Sequence, residues 1–400
     1  MKFFEYKKEN LERYAKVLGI TIMKQSSDYM TAERTQEFLG GLVKTSKLRN
    51  ITSDCSKKEV KILGLPVIKR DEENNFMTYY LFGKKIKTIS LFEEFAKKYS
   101  KCFDKKHDDI YILNANSGEA YLTLTYVLDT LLEKFQSKNP LIVATKPYHV
   151  DLIKMICPDL PYVFVKNMKI KITGGQFEAN GFRFFLMYDT THFKKVEIDI
   201  KENELGTHHY FKSILSHFDL EEKDLGMRKI NILPEAEESA LKKANELGLN
   251  LDRFVFLAPE AKSCENCEDE FWVTLINEFQ NKGYDVFVNL AGEDIKLEGA
   301  KDYKTCKLSF AEAFSLAKRA KKIVSLRSGL TEFLVQTGVP MDVLYTKFRQ
   351  RHIFNDMEIE YVMSGFGMKH LPSYDITHTR EFNVTELGST SCLNEILNKL

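Results

Sequence analysis

Four short stretches carry residue types that could do chemistry. Arg327-Ser328-Gly329 follows the apolar run Ile323–Leu326 and precedes Leu330–Thr337, where Leu330, Phe333 and Leu334 fall at helical spacing. Gly338 and Pro340 stop that helix, and Val343-Leu344-Tyr345 starts another strand. A turn in such a unit lies at the carboxyl end of a parallel strand, where open α/β sheets bind ligands. Free backbone N–H groups there suit an anion, and Arg327 adds a fixed fork of donors for a phosphate. Glu332, one turn into the helix, is placed to accept two hydroxyls of a sugar. The alternative is an ordinary strand-to-helix connection with Arg327 as a surface charge.

The other three stretches complete a candidate set. Lys262 and Ser263 follow the strand-like Arg253–Ala258 and are further phosphate candidates, although lysine is common on any surface loop. Glu119, in the polar turn after the strand-like Asp109–Asn114, is a candidate general base. It could equally serve only as favourable charge at a helix start. Asp189, which with His192 follows the apolar run Phe182–Tyr188, is the second candidate base. His208 and His209 read best as a helix start, and Trp272, spaced with Leu275 and Ile276, as core.

The elements that must position these residues alternate between strand and helix. Strands are expected at 109–114, 140–145, 161–166, 182–188, 253–258, 285–289 and 323–326, with helices at 120–135, 149–157, 235–247, 269–282 and 309–319. This pattern argues for parallel sheets with helices on both faces. Further helices are expected at 202–218 and 391–400. Residues 1–60 read as helical, with Leu11, Tyr14, Ala15 and Leu18 at helical spacing and Thr31–Leu39 ended by Gly40-Gly41. Lys61–Lys69 and Tyr80–Lys87 echo each other around the turn-rich Asp71–Asn75, which predicts a β-hairpin. The predicted division is an N-terminal helical and hairpin extension (1–100), a first Rossmann-like domain (101–220), a second (221–385) and a C-terminal helix (386–400).

Composition narrows the function classes. Fifty-eight basic and 57 acidic residues leave +1, too little to attract nucleic acid by a global field. No apolar run approaches the ~20 residues of a membrane span, and the start lacks a signal-peptide core, so a cytoplasmic location is expected. Seven scattered cysteines suit reduced thiols; Cys264 and Cys267 have the spacing of a metal pair without a second pair nearby. Neither first βα turn carries GxGxxG, and no Walker A motif is present, which argues against hydride and phosphoryl transfer. Two α/β domains with phosphate features in the second suit the GT-B class of glycosyltransferases.

Here the chain resembles glycosyltransferase family 9, the heptosyltransferases and relatives, over roughly residues 109–346. Ile112–Ala120 resembles the family's strand followed by Gly-Asp, and Thr207-His-His-Tyr-Phe211 its His-containing helix start. Phe256–Lys262 with Phe271-Trp272 is similar to its phosphate loop and Trp-containing helix. Val324–Glu332 resembles its Asp-(Ser/Thr)-Gly-Leu-x-His segment, and Gly338-Val-Pro340 its Gly-x-Pro. The resemblance implies a GT-B fold of two Rossmann-like domains around a cleft, inversion at the anomeric carbon and no metal or other cofactor. It places the catalytic base at Glu119, with glutamate where the family has aspartate. Arg327 and Glu332 replace the family's Asp and His, so the donor is expected to differ from the ordinary heptose nucleotide. Ser328 and Gly329 complete the donor loop.

The expected partners are a nucleotide-diphosphate sugar and a glycan or lipid-linked glycan acceptor such as lipopolysaccharide or capsule, with peripheral contact at the inner membrane. Two rival readings stay open: a GT-B-fold sugar-nucleotide epimerase, which would turn over the donor alone, and a non-catalytic glycan-assembly partner, which would bind no nucleotide.

Overall fold

The computed structural model describes residues 4–9, 12–17, 20–28, 33–49, 56–170, 172, 174–188, 209–290, 292, 297–348, 359–384 and 388–398. The chain forms two compact units. One holds Met1–Lys105, Lys169–Phe184 and Asp189–Lys195; the other holds Lys106–Met168, Phe185–Tyr188 and Val196–Leu400.

The first unit is built on a nine-stranded meander. Its strands are β1 (Phe4–Glu9), β2 (Glu12–Val17), β3 (Ile20–Asp28), β4 (Glu33–Phe38), β5 (Val43–Arg49), β6 (Ser56–Ile62), β7 (Leu65–Glu73), β8 (Phe76–Leu81) and β9 (Lys84–Ser90), in that spatial order. Each pairs antiparallel with the next. This corrects the expectation of helices in 1–60. Tyr14 and Ala15 lie in β2, the segment expected as a helix at 31–39 is β4, and Leu11 and Leu18 lie outside the described residues. Gly40 and Gly41, with φ of 67° and 96°, reverse the chain between strands instead of ending a helix. The physical reason is that this polar segment has no apolar stripe deep enough to bury a helix, whereas strand neighbours satisfy its backbone through cross-strand pairs. The expected hairpin at 61–89 is present and repeated, as β6 to β9. After β9, α1 (Leu91–Tyr99) starts on the Ser90 cap. It packs Phe95 against Phe177 and Phe184.

The second unit contains the second α/β half and most of the first, whose strand Gln176–Ala179 and the start of the strand Phe182–Leu186 fall in the first unit. In the first half, β10 (Asp109–Leu113), β11 (Pro140–Ala144) and β12 (Tyr162–Phe164) are parallel. The full sheet has the order β12-β11-β10-β14-β13, where β13 is Gln176–Ala179 and β14 Phe182–Leu186. Its helices are α2 (Ser117–Leu122), α3 (Leu128–Lys134) and α4 (Pro147–Ile156), and a π-helical turn, Thr123–Val127, joins α2 to α3. Helix α5 is Tyr210–Ser216; the rest of the helix expected from 202 falls partly on residues outside the description. Helix α6 is Pro234–Glu246.

The second half holds β15 (Phe254–Ala258), α7 (Asp269–Asn281), β16 (Asp285–Asn289), β17 (Lys304–Cys306), α8 (Phe310–Ala317), β18 (Lys322–Leu326), α9 (Gly329–Leu334), β19 (Met341–Tyr345), α10 (Ile359–Phe366), β20 (Thr379–Asn383) and α11 (Gly388–Asn398). All six strands are parallel, in the order β17-β16-β15-β18-β19-β20. That is the 3-2-1-4-5-6 order of the doubly wound dinucleotide-type sheet, and its switch point lies between β15 and β18. The two Rossmann-like halves read from the sequence are therefore present. Strands β15, β18 and β19 are buried along their whole length, as parallel strands covered on both faces must be.

Candidate active site

The loops leaving β15 and β18 at the switch point carry most of the residues singled out from the sequence. After β15, Lys262 and Ser263 sit on an exposed loop. Downstream the loop is pinned to the end of β19. Cys264 bridges to Phe348, the Glu265 amide donates to the Lys347 carbonyl at 2.8 Å, and Thr346 Oγ1 donates to the Glu265 carbonyl at 2.6 Å. After β18, Ser328 caps α9 by accepting from the Thr331 amide, and Thr331 answers with its own hydroxyl in a reciprocal box.

Arg327 is not a surface charge. Its side chain is only 11% exposed and forms a 2.6 Å ion pair with Glu332, whose side chain is 2% exposed. Arg327 Nε donates to the Phe366 carbonyl at 3.0 Å, and the guanidinium lies 5.2 Å from the centre of the Tyr210 ring. The Tyr210 hydroxyl donates to Glu332 Oε1. Burial pushes the Glu332 carboxyl up to about 7, against the pull of Arg327 and the Tyr210 bond, and the charge of Glu119 adds to the rise. Burial also opposes the charge of Arg327, but Glu332 holds its pKa above the ordinary value. Glu332 Oε2 has no hydrogen-bond partner among the described residues.

Glu119 belongs to α2 of the first half, and it reaches the same charges. Burial raises its pKa, while its own backbone amide, Arg327, Lys146 and Asn116 lower it. Contact between the halves explains this convergence. Gly118 and Gly329 leave the start of α2 against the start of α9. A Cβ added to Gly329 would lie 2.6 Å from Ser117 Oγ, 2.7 Å from the Gly118 nitrogen and 3.1 Å from Gly118 Cα. Alanine at 329 would gain roughly 1 kcal/mol of helix propensity, yet the backbone contact leaves it no room. Gly329→Ala is therefore expected to lower stability by about 1–3 kcal/mol, read as a reduced denaturant midpoint. A raised midpoint would mean the two helices do not meet here.

Lys146 is a site residue that the sequence reading missed. It follows β11, just before Pro147 opens α4, and donates to the Ala115 carbonyl at 2.8 Å. Burial lowers its pKa, Glu119 raises it, and the positive charge of Lys262 lowers it again. That last effect ties the loop after β15 in the second half to the β11 turn of the first. Below Lys146, His149 is fully buried; its Nδ1 accepts from the Thr145 amide, and Nε2 lies 3.2 Å from the Ala115 carbonyl. Burial, and then Lys146, drive its pKa down to about 4, so it stays neutral and fixes the turn that leads to Glu119. Tyr148, also missed, is raised to about 12 by burial and by Glu119. A strand-end lysine before a helix-opening proline was the available signal for Lys146. Tyr210 lies in the Thr207–Phe211 segment beside two histidines, and a lone tyrosine there carries no chemical signal of its own.

The remaining candidates do not join the cluster. Asp189, His192 and His208 lie outside the described residues. His209 caps α5 through Nδ1 and stacks on His370 at 4.1 Å, in keeping with the reading as a helix start. Trp272 is core, at 2% exposure. Burial pushes the Cys267 thiol up to about 12, far from reactive, and Cys264 is buried beside it.

The Glu332 shift has a consequence for stability. Its folded pKa, about 7, lies above the ordinary value of 4.5. Its contribution is therefore complete below pH 4.5 and is lost as pH rises through 7. Between pH 5 and 8 the fold is expected to lose stability on the order of 3 kcal/mol through this group. Urea unfolding at several pH values checks it: Glu332→Gln should flatten the decline, and an unchanged slope would contradict the assignment.

The arrangement offers two half-buried or buried carboxylates of raised pKa, one exposed lysine and one partly buried lysine, at the carboxyl ends of strands from both halves. Such a site can take a proton and neutralise an oxyanion in one place. No family model and no curated protein matches the chain. Among solved structures it is similar to a family 9 glycosyl transferase from Veillonella parvula, at 13% identity and a TM-score of 0.47, covering 73% of this chain and 92% of that one. It is also similar to the E. coli ADP-heptose heptosyltransferase II, at 11% identity and a TM-score of 0.45, covering 72% and 97%. A third is the wall teichoic acid polymerase TagF, at 10% identity and a TM-score of 0.33, covering 76% and 84%.

Proposed function

We propose that the chain is a GT-B glycosyltransferase that moves a sugar from a nucleotide-diphosphate sugar to a surface glycan such as lipopolysaccharide, capsule or a related polymer. The observation that carries this reading is the convergence of Glu119, Glu332, Arg327, Lys146 and Lys262 from the loops after β10, β11, β15 and β18. In this reading Lys262, with Ser263, Ser328 and Gly329, receives the donor diphosphate, and Arg327 acts through its field while it holds Glu332. Glu119 accepts the proton of the acceptor hydroxyl as that oxygen bonds to the anomeric carbon. The bond from that carbon to the diphosphate oxygen breaks, configuration inverts, and the lysines stabilise the departing diphosphate. Asp189 is the second candidate base. No bound metal is part of the proposal; cationic side chains take that role.

The reaction is tested by following release of free nucleoside diphosphate from sugar nucleotides, with and without a lipid-linked glycan acceptor. Release that needs the acceptor supports transfer. Conversion of the donor sugar without any acceptor would replace this reading with an epimerase.

A further inference from the structure

We propose that one end of the nine-stranded sheet is a docking surface for an anionic lipid bilayer. The meander turns alternately at two ends. At one end lie the turns Leu39–Leu42, Leu63-Gly64 and Phe82-Gly83, and Leu18-Gly19 holds the corresponding place in the sequence. Their tips are apolar and open to solvent: Leu39 is 61% exposed, Leu63 72%, Leu65 70% and Phe82 71%. Consecutive tips at this end are two strands apart, or about 10 Å. At the other end the described turn is Asn74-Asn75, beside Glu72, Glu73 and Phe76, which is 49% exposed.

The backbone makes the apolar tips hard to explain by folding alone. Leu63 and Gly64 have φ of 51° and 79°, and Phe82 and Gly83 have 47° and 77°. Both central residues of such a two-residue turn need positive φ, a geometry that favours Asn-Gly and disfavours leucine and phenylalanine. Asn74 and Asn75, at 49° and 62°, follow that preference. Large apolar side chains at these exposed tips of positive φ bury little surface within the unit.

Charge selects the occupant. Lys44, Lys61, Lys84 and Lys85 flank the tips, with Glu37 the nearest acid. Lys44 pairs with Glu37 and Lys61 with Glu59 on the surface, contacts weak enough to exchange for headgroup phosphates. A second copy meeting this end through the same face would bring lysine against lysine. Separate apolar knobs between lysines suit a soft, anionic interface, into which the knobs insert while the ammonium groups stay at headgroup level. This inference stands on the first unit alone and does not depend on the proposed reaction.

The test is co-sedimentation of the full chain with vesicles of phosphatidylcholine, alone or with about 30 mol% phosphatidylglycerol. The wild type should pellet with the anionic vesicles and much less with the neutral ones. A triple variant, Leu39→Asn, Leu63→Asn and Phe82→Asn, should bind at least about tenfold more weakly, with its melting temperature unchanged or raised, since asparagine accepts positive φ. Lys61→Gln, Lys84→Gln and Lys85→Gln together should remove the preference for anionic vesicles. A wild type that stays in the supernatant, or an asparagine variant that binds like wild type, would overturn the proposal. So would a wild-type dimer that the asparagine variant dissociates while vesicle binding persists; that result would assign this end to a second copy of the chain.

Discussion

Replacing Glu119 by glutamine is expected to lower turnover by about 10²- to 10⁴-fold, the usual weight of a positioned general base. Nucleoside diphosphate affinity should change by no more than about twofold, because the donor loop lies on the other half. The argument rests on environment. Burial raises the Glu119 pKa above the usual carboxylate value, against its own backbone amide, Arg327 and Lys146, and a carboxylate of raised basicity suits a general base. The pH profile should follow. Activity should rise with pH as the raised carboxylate loses its proton, and that limb should vanish in the glutamine variant. Full turnover in Glu119→Gln would remove it from the mechanism and leave Asp189 as the candidate base.

The second large effect concerns Arg327. Its guanidinium is committed to Glu332, the Tyr210 ring and the Phe366 carbonyl. Arg327→Ala would leave a carboxylate buried without its cation, at a cost of about 3–5 kcal/mol, lower where Glu332 takes up a proton. Denaturation should show that loss, and it should be larger at pH 8 than at pH 5.5, since only the ionised Glu332 needs the cation. The double variant Arg327→Met, Glu332→Gln should recover much of the stability, because a buried ion pair replaced as a unit costs far less than one broken in half. Additive losses in the double variant would mean that the two side chains do not act as a pair. For this reason donor binding is better probed at Lys262, which is exposed and has no ion-pair partner among the described residues.

The α/β half of the chain was legible because buried parallel strands must be apolar along their length. Arg253–Ala258 and Ile323–Leu326 can hardly be anything else between polar turns, and the turns after such strands are where ligands bind. Glu119, Lys262 and Arg327 could be nominated on that ground. The pairing of Arg327 with Glu332 could not. Their separation of five residues spans a turn and a helix start, so the pair forms only once Ser328 caps α9 and turns the two side chains together. Lys146, His149 and Tyr210 acquire their roles from contacts across 31, 34 and 122 positions of chain, which no local pattern carries.

The first sixty residues were misread for a different reason. Tyr14 and Ala15 fit a helical spacing by chance, and Leu-Gly and Gly-Gly serve as helix stops and hairpin turns alike. The recurrence of Leu-Gly or Phe-Gly at 18, 39, 63 and 82 was the discriminating signal, since a turn repeated every two strands marks a meander. The echo noticed at 61–87 was the clearest part of that repeat.

The central claim is that a nucleotide diphosphate seats at the switch point of the second half. It is tested most directly by thermal shift with UDP, GDP, CDP, ADP and their sugar conjugates, on wild type and on Lys262→Ala. A ligand held only by the folded chain raises its melting temperature by mass action. The account predicts a shift with one nucleotide, reduced in Lys262→Ala while the melting temperature of the free variant stays near that of wild type. No shift with any nucleotide, or a shift indifferent to Lys262, would contradict it and favour a binding or scaffolding role.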